Sequence, residues 1–388
     1  MGKVTKVAIS VSVLLITLAA GGMIVNNSIK AEGYQLSEVQ PSMFAHGKFL
    51  NPATFAQPGL LKTLQIAKRY FTEPGVDKTP ATALPVYKLS RADLEALPDE
   101  GMHFVKLGHS SVLLKVQGEY WLLDPVFAER ASPFSFLGPK RFHQTPISLE
   151  ELPFISKVLI SHNHYDHLDK QSIKQLTDKT AQFLVPLGVE RDLQKWGVPS
   201  EKIVSFDWWQ EQQAPNALIA FTPTQHFSGR GIGDGNSTLW GSWVIKTSDS
   251  SVYFSGDSGY FDGFRQIGER YGPFDLTFIE TGAYDHDWKH IHMTPEQSVQ
   301  AHMDVKGKVM VPVHNGTFDL AFHAWYEPLE RVSEAALQVQ AKLLTPQVGQ
   351  PLALEQLQQH VAANVQWWKA LMTSATAVRQ DNAMLLAE

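Results

Sequence analysis

The residues best suited to chemistry are crowded into one short segment, 161–169, which directly follows an apolar run typical of a β-strand. Side chains two residues apart point to the same side of a strand end, so His162 and His164 can face one point. Asp166 and His167 arrive on the following turn and can face a second point. Imidazole and carboxylate groups together suit Zn²⁺ or another first-row metal ion. Two metals about 3.5–4 Å apart can use all four groups, and such a pair activates water for hydrolysis.

Three more candidate ligands stand at the ends of strongly apolar runs. His226 follows the run 217–223, Asp257 closes a run that begins at Val252, and His314 follows a run that ends at Val313. A β-structure with outer helices gathers its functional residues on the loops that follow its strands. We therefore expect these three side chains to join the 161–169 segment in one metal site.

The elements that must position these residues are short strands that begin near residue 101. Early strands are separated by Gly or Asp turns, as in hairpins, and later strands by helical stretches. This order predicts two sheets with helices outside them. The predicted strands are 103–107, 111–116, 120–124, 157–161, 183–186, 217–222, 242–247, 251–255, 275–280 and 308–313.

Four helices are predicted outside the strands. Thr294, Pro295 and Gln297 have the pattern of an N-cap, a first-turn proline and a capping-box glutamine, and the helix that they open should run to about Met303. Apolar residues at helical spacing predict a further helix before the first strand, and two more near the carboxyl end. These three are 60–71, 328–344 and 354–372.

The amino end has the pattern of a membrane segment. Lys3 and Lys6 precede Val7–Val25, a stretch of 19 residues without a charge. A spanning helix needs about 20 apolar residues, whereas a cleavable signal core usually has 7–15. The length favours a retained anchor, although the small residues 19–22 also allow a cleaved secretory signal. The basic residues before the stretch predict that the body is exported and lies on the periplasmic or extracytoplasmic side.

Composition excludes several classes of protein. The 388 residues are 44% hydrophobic and 19% charged, which is typical of a globular chain. The net charge of −6 argues against a nucleic-acid partner. Cysteine is absent, so disulfides, thiol catalysis, cysteine-type zinc sites and iron–sulfur clusters are excluded.

These motifs together resemble the metallo-β-lactamase-fold hydrolases, whose signature is His-x-His-x-Asp-His. The resemblance spans roughly residues 101–345 and is closest to the phospholipase D branch that hydrolyses N-acylphosphatidylethanolamine, with its bacterial relatives. The segments that carry it are 107–111, 123–127, 130–133, 138–141, 161–169, 225–226, 239–243, 256–260 and 314–318.

The resemblance implies an α/β fold, the αββα sandwich of two mixed sheets with outer helices. It divides the chain into a membrane anchor or signal segment (1–30), an N-terminal extension (31–100), the catalytic domain (101–345) and a C-terminal helical tail (346–388).

The same resemblance implies two Zn²⁺ ions with a shared ligand. The first ion would be held by His162, His164 and His226, and the second by Asp166, His167 and His314. Asp257 would bridge them and fix their separation. Asp166 would also accept the proton of the water, and His292 would be a catalytic histidine on the substrate side.

The expected reaction is hydrolysis of a phosphodiester in a phospholipid by a metal-bridging hydroxide. N-acylphosphatidylethanolamine is the expected substrate, with phosphatidic acid and an N-acylethanolamine as products, and the membrane is the expected partner. Two alternatives stay open. The same centre can hydrolyse another ester, a lactone or an amide, or the chain can be a non-catalytic metal-binding envelope protein.

Three residues near these motifs each have two interpretations. His109 either supports the site or only occupies a turn. Asp169 either orients a ligand imidazole or caps a helix. Arg230, in a glycine-rich stretch, either meets an anionic substrate or is solvated.

Overall fold

The computed structural model describes residues 42–53, 60–73, 75–231 and 233–372. The membrane segment predicted over residues 1–30 lies outside these ranges. Among the helices in the described ranges, none has both the length and the apolar character needed to cross a membrane.

The described ranges contain fifteen strands. In chain order they are β1 (Phe44–Ala45), β2 (Lys48–Phe49), β3 (Met102–Gly108), β4 (Ser111–Val116), β5 (Glu119–Leu123), β6 (Ile155–Leu159), β7 (Thr180–Pro186), β8 (Ile203–Phe206), β9 (Glu211–Gln213), β10 (Leu218–Thr222), β11 (Ser242–Lys246), β12 (Ser251–Phe254), β13 (Phe274–Glu280), β14 (Gly307–Val313) and β15 (Pro351–Ala353).

Eight α-helices accompany them in the same ranges. They are α1 (Leu60–Thr72), α2 (Arg91–Glu95), α3 (Lys170–Leu176), α4 (Glu190–Lys195), α5 (Gly263–Arg270), α6 (Pro295–Asp304), α7 (Glu327–Gln338) and α8 (Leu357–Ala362). Three short 3₁₀ helices lie at Thr177–Lys179, Ser200–Lys202 and Leu354–Gln356.

Two mixed sheets form the centre of the molecule. The first has the strand order β15-β3-β4-β5-β6-β7-β8, and the second β14-β13-β12-β11-β10-β9. In the first sheet β3, β4 and β5 are antiparallel and β5 to β8 are parallel. In the second sheet β9 to β12 are antiparallel and β12 to β14 are parallel. The separate pair β1 and β2 is antiparallel.

The two sheets pack face to face around the main core. Phe104 of β3 meets Phe278 of β13 edge to face, with ring centroids 5.4 Å apart. Trp121 and Trp243, from opposite sheets, are fully buried in the same cluster. Full burial of a large apolar side chain contributes about 1.5–3 kcal/mol, so this layer holds the sheets together.

Helices cover both outer faces. Leu94 of α2, Ile173 of α3 and Leu193 of α4 are buried against the first sheet. On the second sheet α5, α6 and α7 pack through a cluster that includes Phe264 and Val332. The layers therefore follow the predicted order of helix, sheet, sheet and helix, and the α/β class with mixed sheets is confirmed.

The ten predicted strands are all present, with ends shifted by three residues or fewer. The very short strands β1, β2, β8, β9 and β15 were not predicted, because two to four residues carry too little periodicity. The predicted continuous helix 354–372 is wrong, since α8 ends at Ala362 and residues 364–366 are not helical. The predicted helix 328–344 ends early at Gln338, and Leu344 instead donates its backbone N–H to the carbonyl of Met310 in β14.

The stretch 346–388, predicted as a helical tail, contains β15, a strand of the first sheet. Leu352 of β15 pairs with Phe104 of β3, and Leu352 is buried in the central core. The pairing brings residues about 250 positions apart into one sheet. The division of the chain into domains stays a prediction.

One edge of the sandwich collects the loops that follow the strands. The loops after β3, β5 and β6 lie at one edge of the first sheet, because these strands share a direction. The loops after β10, β12, β13 and β14 lie at one edge of the second sheet for the same reason. The predicted ligands all stand on these loops.

Candidate metal centre

Four side chains form the first group of potential ligands. His162 Nε2 lies 2.9 Å from His164 Nδ1, which lies 3.2 Å from His226 Nε2. An Asp257 carboxylate oxygen, Oδ2, is 3.8 Å from His162 Nε2 and 3.7 Å from His226 Nε2. One atom from each of the four lies within 4.8 Å of the others, so one ion can contact them all.

A second group adjoins the first and contains one residue more than expected. His314 Nε2 lies 3.2 Å from Asp166 Oδ2, and His167 Nε2 lies 3.6 Å from the same oxygen. His109 Nε2 lies 2.9 Å from Asp166 Oδ2, which places this histidine in the group as well.

Asp257 connects the two groups. Besides its position in the first group, its Oδ2 is 3.0 Å from His314 Nε2 and its Oδ1 is 3.1 Å from His167 Nε2. The structure thus brings together all seven side chains that were predicted as ligands, with Asp257 in the middle.

Hydrogen bonds behind the imidazoles fix their orientation. His167 donates Nδ1–H to Asp124 Oδ2 at 2.7 Å, and Asp124 also accepts the backbone N–H of Ser161 at 2.7 Å. His226 donates Nδ1–H to the carbonyl of Ile291 at 2.8 Å. Because Nδ1 is occupied in both rings, Nε2 faces the site. This arrangement is usual for metal-binding histidines.

The donor atoms fit a metal ion. His167 Nε2, His314 Nε2 and Asp257 Oδ1 are buried and, although His167 Nε2 and His314 Nε2 lie 3.1 and 3.0 Å from Asp257, they form no hydrogen bond within the described part of the chain. Buried polar atoms of this kind are costly unless something else pairs with them. Tetrahedral Zn²⁺ with bonds of 2.0–2.1 Å places its nitrogen ligands roughly 3.3 Å apart, close to the 2.9 and 3.2 Å spacings around His164.

Electrostatics also favours a cation here. Burial lowers the pKa of His162 and His164 well below the usual value and that of His226 to about 3, so these imidazoles are neutral. Neutral imidazole is the form that binds metals. Burial acts in the same direction at His314, but the Asp257 and Asp166 carboxylates outweigh it and raise the pKa of His314 to about 10. The two carboxylates therefore attract positive charge to the second group.

Comparison with known proteins decides the family. The model of the Beta-lactamase superfamily domain matches residues 120–315. The N-acyl-phosphatidylethanolamine-hydrolyzing phospholipase D 1 of Caenorhabditis elegans is 33% identical over 306 residues, which cover 74% of this chain and 85% of that protein. The chain belongs to the metallo-β-lactamase superfamily. The metal-dependent hydrolase class predicted from the sequence is confirmed at the level of this superfamily.

Two other relatives match shorter stretches. An uncharacterized protein of Mycobacterium tuberculosis is 46% identical over 247 residues, which cover 63% of this chain and 66% of that protein. The chain thus spans just under two thirds of that relative's length. The outer membrane protein RomA of Klebsiella pneumoniae is 47% identical over 94 residues, which cover 24% of this chain and 70% of that protein.

A solved structure shows the same fold. A possible metal-dependent hydrolase from Veillonella parvula aligns with a TM-score of 0.53 at 14% identity, covering 65% of this chain and 98% of that one. At this identity the likeness concerns the architecture alone, and it agrees with the two facing sheets of this member of the metallo-β-lactamase superfamily.

The structure gives the positions of His109, Asp169 and Arg230, the three residues for which the sequence allowed two interpretations. His109 belongs to the second group, as described above. Asp169 caps α3 by accepting the backbone N–H groups of Gln171 and Ser172, so the capping interpretation is correct. Arg230 is partly buried and donates to the carbonyls of Asn163 (2.7 Å) and Leu168 (2.6 Å), so it holds the 161–169 loop in place.

Two buried carboxylates beside the centre were missed by the sequence analysis. Asp124 follows β5 and binds His167, and Glu280 ends β13 and contacts His292 Nδ1. The signal that identified His226, Asp257 and His314 was a polar residue at the end of an apolar strand, and both carboxylates carry the same signal.

His292 is not a member of the two groups above, but it lies with Glu280, Asp257 and His314 in a further group whose potential ligand atoms are within 4.8 Å of one another. Its ring centroid is 5.0 Å from that of His226 and 5.4 Å from that of His314. The side chain is partly exposed, in contrast to the ring of His226. This position is compatible with the substrate-side placement expected from the sequence.

The N-terminal helix holds the loop that carries His292. Arg69 of α1 binds Asp285 through two hydrogen bonds of 2.7 and 3.1 Å and also pairs with Asp287, and its guanidinium lies over the ring of Phe322. These carboxylates are almost fully buried. Arg69, which precedes the superfamily domain, therefore helps to hold the segment between β13 and α6.

Proposed function

We propose that the protein is a dizinc phosphodiesterase that cleaves a phospholipid, with N-acylphosphatidylethanolamine as substrate and phosphatidic acid and an N-acylethanolamine as products. The observation that carries the proposal is the pair of ligand groups joined by Asp257 at one edge of the sandwich. The named activity of the Caenorhabditis elegans relative supports the choice of substrate.

In this proposal His162, His164 and His226 would hold one zinc ion, Asp166, His167 and His314 would hold the other, and Asp257 would serve both. A bound zinc pair supplies an activated water and neutralises charge that develops on the phosphate oxygens.

The two aspartates differ in access, which separates their roles. The side chain of Asp257 is 2% exposed and that of Asp166 is 15% exposed. Asp166 can therefore contact a molecule bound at the two ligand groups and accept a proton from it, whereas Asp257 is enclosed by histidines and serves as a link. His109, which donates to Asp166, stabilises the charged carboxylate and keeps it oriented.

The substrate class is tested most directly by product analysis. Zinc-loaded protein is incubated with vesicles that contain N-acylphosphatidylethanolamine, phosphatidylcholine or a triacylglycerol, and with a lactone and an amide, and products are identified by mass spectrometry. We expect N-acylethanolamine and phosphatidic acid in equal amounts. Products from the lactone, amide or triacylglycerol alone would assign the centre to another hydrolysis. Absence of any product would favour a metal-binding protein without catalysis.

Exposed aromatic side chains near the centre support a lipid substrate. Phe136 is 75% and Phe134 40% exposed, and their rings lie 5.6 Å apart in the loop between β5 and β6. The same loop packs Ala131 against Phe318, whose ring lies 5.3 Å from that of His109. Exposed apolar side chains that lie together mark surfaces for contact with a partner protein, a ligand or a membrane.

Changing both rings to serine (Phe134→Ser with Phe136→Ser) is expected to reduce turnover of vesicle-bound N-acylphosphatidylethanolamine about tenfold, because contact with the lipid surface is lost. Turnover of soluble bis(4-nitrophenyl) phosphate should stay unchanged. Phe154→Ser is the matched control, since this phenylalanine is 59% exposed just before β6, at the opposite end of that strand from the metal groups. Equal loss on both substrates would argue against a lipid contact.

The predicted location belongs to the same proposal. The Val7–Val25 stretch would tether the protein to a membrane, with the catalytic body on the exported side, close to its substrate. The name of the RomA relative, an outer membrane protein, supports a location in the cell envelope.

A further inference from the structure

We propose that Glu280 is a positioning residue that fixes the imidazole of His292 at the metal centre. The inference rests on the proposed function for the reaction in which His292 takes part, but the contact itself does not depend on the substrate.

Glu280 is held rigidly from several sides. It is the last residue of β13 and is completely buried. Its backbone N–H donates to Ser255 Oγ at 2.9 Å, and its carbonyl accepts from Ser298 Oγ at 2.6 Å. One carboxylate oxygen, Oε2, accepts the backbone N–H of Ser258 at 2.6 Å. The side chain therefore has one oxygen left for another partner.

That oxygen, Oε1, contacts His292 Nδ1. With Nδ1 engaged, Nε2 is the ring nitrogen left for a substrate. The ring lies beside both His226 and His314, so a phosphate at the two ligand groups comes within its reach. A histidine whose orientation matters generally has a fixed acceptor on its other nitrogen.

The position of Glu280 is hard to explain by folding alone. A fully buried carboxylate is costly unless its oxygens are paired. Its partners are the backbone N–H of Ser258, next to Asp257, and the ring of His292, so both contacts lead to the metal centre. An apolar residue at the end of β13 would satisfy the core without this cost.

The test is a double-mutant cycle on purified, zinc-loaded protein with bis(4-nitrophenyl) phosphate as substrate. We expect Glu280→Ala to lower kcat roughly 10- to 100-fold, the range typical of residues that orient a functional histidine. His292→Ala should lower kcat at least as much. The double variant should be no slower than His292→Ala, because Glu280 acts through His292. Losses that multiply in the double variant would overturn the proposal.

Zinc content and the histidine ring are measured in the same variants. Zinc per chain should be unchanged in Glu280→Ala, and loss of zinc there would overturn the proposal by making Glu280 part of metal retention. Nitrogen-15 NMR of labelled histidines should show the His292 signals, assigned by their absence in His292→Ala, shifted or broadened. Glu296→Ala is the matched control, because this carboxylate pairs with Arg331 and should leave the His292 signals and kcat unchanged.

Glu280→Gln covers the case in which the alanine variant fails to fold. In this variant the amide oxygen can accept the backbone N–H of Ser258, and the amide NH₂ can donate to His292 Nδ1. The ring then stays in place, but Nδ1 accepts a hydrogen bond and Nε2 carries the proton. The Nδ1 signal of His292 should then differ from wild type. Signals of His292 that are identical in wild type and Glu280→Gln would overturn the proposal. The NMR measurements do not depend on phosphodiester cleavage. If no phosphodiester is cleaved, the proposed function fails, while the NMR results still test the contact between Glu280 and His292.

Discussion

Replacing Asp257 by asparagine is expected to reduce metal binding in both ligand groups and to lower kcat by about a thousandfold or more. Asp257 Oδ2 lies 3.0 Å from His314 Nε2 and 3.7 Å from His226 Nε2, so one carboxylate serves both groups. Asparagine keeps the shape but loses the charge, and its NH₂ group cannot bind a cation. Loss of one charge-stabilising donor in an active site already costs 10²–10³ in rate.

Metal per chain, measured by mass spectrometry after dialysis, and kcat with bis(4-nitrophenyl) phosphate check this result. Asp262→Asn is the matched control, because Asp262 is exposed and only weakly paired with Arg265 at 3.7 Å. This control should keep the wild-type metal content and kcat. Selective loss of one metal in Asp257→Asn would contradict the bridging position.

Removing metal with a chelator is expected to abolish activity and to lower the melting temperature by several degrees. Without cations, His167 Nε2 and Asp257 Oδ1 are crowded together in a buried site and form no hydrogen bond within the described part of the chain, which destabilises the folded state. A ligand at 100 times its Kd stabilises the folded state by about 2.7 kcal/mol. In a domain of this size each kcal/mol corresponds to about 2–4 °C.

Differential scanning calorimetry of the chelated and reloaded protein measures the shift. Zn²⁺, Mn²⁺ and Fe²⁺ are added back separately, and the ion that restores both kcat and melting temperature at the lowest concentration is the preferred metal. The Asp257→Asn variant is the control, since its melting temperature should depend little on the chelator. If the melting temperature of the wild-type protein did not change when the chelator is added, this result would contradict a metal site formed by these side chains.

The sequence by itself determined the local parts of the site. Spacing within 161–169 placed His162 and His164 together, and short β-rich runs between turns and helical stretches predicted ten of the strands. The capping box at Thr294 was equally local, and α6 begins at Pro295 as predicted. These features depend on interactions between residues a few positions apart, which the order of side chains specifies directly.

Only the tertiary structure decided which distant groups meet. Asp124 binds His167 across 43 positions, and His109 reaches Asp166 across 57. Glu280 approaches His292 because β13 ends beside the loop that Arg69 holds. A local pattern can mark such a carboxylate at the end of a strand, but it does not select which histidine the carboxylate meets. Packing of the two sheets selects the partners. This packing brings strand ends from separate parts of the chain to one edge of the sandwich and buries their polar groups together.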